Sequence, residues 1–270
     1  MRTVVVKDTK IPKDELLAML DDYSDFMEEH TGIKPVFWVE QRDFSSVPTK
    51  VDDDGDMKPT NDYLRALSKD VESRYGEAGT DNVVMLVHED NFLYRGIWGQ
   101  NWSFSLGSYS LQLCRWDRDN VVNSFNTFFH EGGPGHSADA VLKKELNLNL
   151  HKIIEDWIMK EGKEVDKQYI EKLRNAWVKK NINKYNRTKT IPTQFNWDRD
   201  YIHGALPSVQ YMGGAGYTLS DNNLSLLKVA APYLKKAYKV REDRHLKKIG
   251  LMEQIVKIVS TLISLLQKKK

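Results

Sequence analysis

Phe128-Phe129-His130-Glu131-Gly132-Gly133-Pro134-Gly135-His136 places two imidazoles and a carboxylate at the end of an apolar run. Neutral imidazoles hold a divalent metal. A carboxylate that is not itself a ligand can take a proton from a water on that metal. The spacing sets a condition on the fold. Histidines at i and i+4 share a helix face, but a separation of six corresponds to about 600° of rotation and leaves them roughly 120° apart on a regular helix. Gly-Gly-Pro-Gly also disfavours a continuing helix. Either the helix breaks here and brings His130 and His136 to one metal, or the scaffold no longer binds one.

Upstream of this stretch the elements alternate. Thr3 to Val6 is a β-branched run and the expected first strand. Pro12 opens a helix from about Lys13 to His30, in which Leu16, Leu17, Leu20, Tyr23, Phe26 and Met27 recur at helical spacing, and Thr31-Gly32 stops it. Val36 to Val39 reads as a second strand, residues 43–59 as a polar loop, Thr60 to Tyr75 as a second helix and Asn82 to Val87 as a buried third strand. Asp52-Asp53-Asp54-Gly55-Asp56 lacks the closing glutamate of a calcium loop and reads as a solvated turn. Residues 94–116 alternate aromatic and aliphatic side chains with glycine and serine, giving one or two strands with a turn near Gly107. Asn120 is placed to cap a helix carrying Val121, Val122, Phe125, Phe128 and Phe129 into the His130 stretch.

The sequence His130 to His136 resembles a stretched form of the H-E-x-x-H motif, and it resembles the H-E-x-x-P-G-H signature of a bacterial metallopeptidase family with the same spacing. That family's following His-x-x-Gln is replaced here by Ser137-Ala138-Asp139. The element order over residues 1–142 is similar to the N-terminal half of zincin metallopeptidases, where a mixed sheet precedes the active-site helix and an edge strand pairs with extended substrate. The resemblance implies an α+β fold: a zincin-like α/β domain over 1–142, a mainly helical region over 143–245 that completes the site, and an amphipathic C-terminal helix over 246–270. It implies Zn2+ on His130, His136 and a third ligand, with Glu131 as the general base. His203, in the aromatic loop from Trp197 to Gly204, is the preferred third ligand. Glu155, nineteen residues past His136, and Asp139 are the alternatives. Asp139, three residues past His136, also fits a carboxylate that orients a liganding histidine. Tyr201 and Tyr211 are candidates for stabilising an oxyanion.

The remaining features bound the function. A formal net charge of +2 over 270 residues argues against nucleic acid as a partner. One cysteine, Cys114, excludes intramolecular disulfides, and its apolar surroundings mark it as a buried thiol rather than a nucleophile. No signal peptide or bilayer-spanning run is evident in the sequence, so a cytoplasmic location is the expectation. Residues 141–187 are helical and charged, residues 188–220 irregular, and Leu224 to Tyr238 another helix despite Pro232. Leu251 to Leu266 is apolar over more than half its circumference and ends in Lys268-Lys269-Lys270, which favours packing or self-association over membrane binding. The expected partner is a peptide or protein substrate, cell-wall peptides included. The alternative is a catalytically inactive zincin scaffold that binds other molecules and self-associates through its C-terminal helix.

Overall fold

The computed structural model describes all residues except 52, 54, 56, 76–80, 89–90, 92–98, 103–109, 117–126, 132–134, 203–220 and 268–270. The main sheet contains β1 (Arg2–Asp8), β2 (Val36–Arg42), β5 (Asn82–His88), β6 (Gly99–Trp102) and β7 (Ser110–Trp116), in the order β2-β1-β5-β7-β6. The first four strands in that order are parallel, and β6 pairs antiparallel with β7 at one edge. The chain is therefore a mixed helix-and-sheet protein, as its sequence predicts. The one or two strands expected within residues 94–116 are two, this antiparallel pair, and the expected turn near Gly107 lies outside the described residues. The expected polar loop at 43–59 departs from the reading: it contains a small hairpin of β3 (Thr49–Val51) and β4 (Met57–Pro59). Gly55 between them has a φ of 83°, a conformation that costs glycine little.

Strands β1 and β5 read as continuous apolar runs because both of their faces are covered. On one face Val4, Val6, Val83, Met85 and Val87 pack against Leu64, Leu67 and Val71 of α2 (Asn61–Tyr75). On the other, Val5, Val84, Leu86, Cys114 and Trp116 pack against α1 (Lys13–Thr31). Helix α1 ends where expected, with Gly32 in the left-handed region (φ 65°) and its N–H donated to Glu28 O at 2.9 Å. Cys114 is buried as expected, and that burial pushes its thiol well above the ordinary range.

A third core is built by helices. It joins α3 (Ala138–Leu146), α4 (Leu150–Glu161), α5 (Glu164–Lys180), a π-helical turn (Trp197–Ile202) and the first half of α7 (Asp221–Gln267); α6 (Ile182–Thr188) follows α5 with no buried residue. Leu227 of α7 reaches the core between sheet and α1, while Ala230, Leu234 and Ala237 face the helical core. Arg241 pairs with Asp81 beside the start of β5, so the helix is tied to the sheet by charge as well as by packing. Two separate C-terminal helices are expected from sequence, with a boundary at 245/246. The structure has one helix of 47 residues that runs through Pro232 and Gly250. Residues 239–249 are mostly good helix formers and lack only an apolar stripe, so nothing in them ends the helix.

Glu155 shows how the helical core is stitched to the segment before the π-helical turn. Its buried carboxylate accepts from Arg174 Nε at 2.9 Å, from Phe195 N at 2.7 Å and from Gln194 N. Removing it strands two backbone donors and a guanidinium. Glu155→Ala is expected to lower stability by about 3 kcal/mol, read as a shift in the urea midpoint. An unchanged midpoint would contradict this assignment.

Candidate metal centre

The helical residues 127–131 are anchored by aromatic packing. Phe128 stands edge-on to Tyr23 with ring centroids 4.9 Å apart, and Phe129 stands edge-on to Phe26 at 5.4 Å, both on α1. That fixes the azimuth of the turn, on which His130 and Glu131 are both buried. The chain then reverses. His136 N donates to His130 O at 3.2 Å, Ala138 N donates to Gly135 O at 3.2 Å, and α3 begins at Ala138. A Cβ on Gly135 would lie 1.9 Å from His130 O and 2.7 Å from its carbonyl carbon, so only glycine permits the closure.

The reversal brings together what a regular helix would separate. One ligand-type atom each from His130, Glu131 and His136 lie within 4.8 Å of one another, and the group could hold a metal ion. The two imidazoles are nearly perpendicular, at 84°, with centroids 5.0 Å apart. His136 Nε2 lies 3.9 Å from Glu131 Oε2, while its Nδ1 lies 3.8 Å from Asp198 Oδ1. His136 thus turns one nitrogen toward the cluster and the other toward a carboxylate on the π-helical turn. At 3.8 Å that carboxylate is too far for a direct hydrogen bond and acts on His136 through its charge.

A second layer holds the reversal in place. Trp197 Nε1 donates to Gly135 O at 3.0 Å, and Trp197 N donates to His151 Nδ1 at 2.7 Å. Accepting at Nδ1 places the His151 proton on Nε2, which lies 3.3 Å from Asp139 Oδ2. Burial pushes the Asp139 carboxyl up, but its hydrogen bond and charge interaction with His151 and the Leu150 N–H outweigh it and hold it below the usual range. Tyr201 stacks on Trp197 at 3.9 Å.

These contacts redistribute the residues singled out from sequence. His130, Glu131 and His136 come together. Asp139 engages His151 and the start of α4 rather than His136, so the two choices for it, ligand or partner of His136, are both replaced by a bracing role. Glu155 is committed to Arg174 and backbone donors and is not a free ligand. Tyr201 is buried and stacks on Trp197 beside the site. His203 and Tyr211 lie outside the described residues. Asp198, Trp197 and His151 were not singled out from sequence. No fixed spacing links them to His136, and only the tertiary fold makes them neighbours.

Burial is the dominant influence on Glu131. It pushes the carboxyl up to about 7, with His136 pulling the other way. A carboxyl raised on folding contributes stability that is present below its ordinary range near 4.5 and is lost as pH rises through about 7. The metal-free protein is therefore expected to lose roughly 3 kcal/mol between those limits from this group. Glu131→Gln should flatten that part of the profile, as read from denaturant midpoints at several pH values. Equal slopes in the two proteins would contradict it.

Comparison of the chain with protein-family models, with curated proteins and with solved structures gave no match.

Proposed function

We propose that this chain is a zinc-dependent hydrolase of the zincin type, most simply a metallopeptidase. The observation that carries the reading is the convergence of His130, Glu131 and His136 in spite of their six-residue separation. Two imidazoles with a buried carboxylate between them are the donor set such a centre requires. The sheet supports the reading as well, because β6 is an antiparallel edge strand, the place where an extended peptide can add backbone hydrogen bonds.

A zinc ion held by these histidines supplies a Lewis acid and a water acidified toward neutrality. Within the chain, Glu131 takes a proton from the attacking water and returns it to the leaving amine, a task suited to a carboxyl whose burial has moved it near neutral pH. Asp198 places a negative charge beside the far nitrogen of His136, whose Nε2 faces the cluster. His203 is proposed as the third ligand, because it follows the π-helical turn that brings Asp198 to His136. Trp197, His151 and Asp139 hold the reversal that pairs the histidines.

The test compares wild type with Glu131→Gln on a panel of unstructured fluorogenic peptides, with bound zinc measured in both. The variant is expected to keep its zinc and lose at least about 100-fold in turnover. Undiminished hydrolysis by the variant sinks the mechanism.

A further inference from the structure

The distal part of α7 leaves the body of the protein. The whole helix is about 70 Å long, and residues 246–267 account for about 33 Å of it. No residue from Leu246 to Ser260 is buried. Leu251, Val256 and Ile258 are among its most exposed apolar side chains, at 58%, 60% and 60%. The sequence of this segment carries a heptad register. With Met252 at position a, every a, d, e and g residue from Leu251 to Leu266 is Leu, Ile, Val or Met. Every b, c and f residue there is Glu, Gln, Lys, Ser or Thr.

The width of this face indicates its occupant. A two-stranded seam needs apolar residues at a and d and places charges at e and g. Apolar residues at all four positions exceed one partner and suit a bundle in which each helix meets two neighbours. The charges disfavour a lipid surface: along the apolar stretch from Leu251 to Leu266 the polar side carries one basic residue, Lys257, offset by Glu253, and the neighbouring lysines (Lys247, Lys248 and Lys268 to Lys270) lie beyond its two ends, whereas interfacial helices are rich in Lys and Arg along that side. Among the described residues no helix is long and apolar enough to cross a membrane. With Leu246, Ile249, Met252, Ile255 and Val259 also exposed, the segment offers a continuous apolar surface that burial against other copies would remove from water.

We propose that residues 246–267 are an assembly element through which three or more copies of this chain bundle, their a, d, e and g positions turned inward. The body of each copy then sits at the rim of a shared helical stalk. This inference does not depend on the metal centre.

The test is sedimentation of the full chain over a concentration series, beside a variant carrying Ile255→Glu and Val259→Glu. Both positions are exposed in the single chain, so the body should fold unchanged, which the near- and far-ultraviolet circular dichroism spectra check. Wild type is expected to run as three or more copies and the double variant as a monomer. A monomeric wild type overturns the proposal, and so does a double variant that stays associated. Wild type is also mixed with vesicles of neutral and of anionic phospholipid. Monomeric chain that floats with either kind overturns the proposal in favour of a lipid surface.

Discussion

Supplied with zinc, the folded wild-type chain is expected to retain about one ion, and His136→Ala to lose it, with affinity falling by more than about 100-fold. His136 is the informative position. His130 belongs to the helical turn packed on α1, and its removal would disturb that packing too. His136 is partly exposed, with its side chain 21% accessible, and its ring is bounded by Glu131 and Asp198. Truncating it removes a donor while leaving the backbone bond from His136 N to His130 O intact. Metal content by mass spectrometry, after dialysis against a weak chelator, reads the result. Equal zinc in both proteins would place the ion elsewhere. No zinc in a folded wild type would leave the inactive scaffold, whose function lies in binding and assembly.

Among the described glycines, Gly135→Ala is expected to be the most damaging substitution. The added carbon meets backbone rather than a flexible side chain, at 1.9 Å from His130 O and 2.8 Å from Phe129 O, so relief requires opening the reversal itself. The expected cost is about 2–4 kcal/mol of stability. Opening the turn also breaks the bond from Trp197 Nε1 to Gly135 O and separates the histidines, so zinc affinity should fall with stability. That coupling separates this site from a merely crowded glycine. Calorimetry and zinc titration on one preparation check it. A variant as stable as wild type, or one destabilised with unchanged zinc affinity, would contradict the account.

Much of the architecture was legible because local pattern and tertiary role agree. The runs Thr3 to Val6 and Asn82 to Val87 are apolar throughout since α1 and α2 cover both faces of the sheet. Gly32 ends α1 because a left-handed cap suits it. The hairpin of β3 and β4 was not legible. Three-residue strands carry too little periodicity to stand out from a polar loop. The continuity of α7 was missed for a related reason: charged residues without an apolar stripe resemble a linker, although they are sound helix formers.

The candidate site divides along the same line. The residue types and their order, His130 and Glu131 after an apolar approach and His136 beyond a glycine-rich break, are properties of the sequence by itself, and they supply the donor types of a metal site. Whether the break joins or parts the histidines depends on how the chain closes after Glu131. That closure is set by packing of Phe128 and Phe129 on α1, by the space only glycine leaves at 135, and by an indole from sixty-two residues further on. Glu155, Asp139 and Asp198 make the same point in three ways. As carboxylates they are interchangeable in a sequence, but the fold spends the first on Arg174, the second on His151, and turns the third toward His136. A carboxylate's role follows from the charges and donors within a few ångströms of it, and those neighbours come from distant parts of the chain.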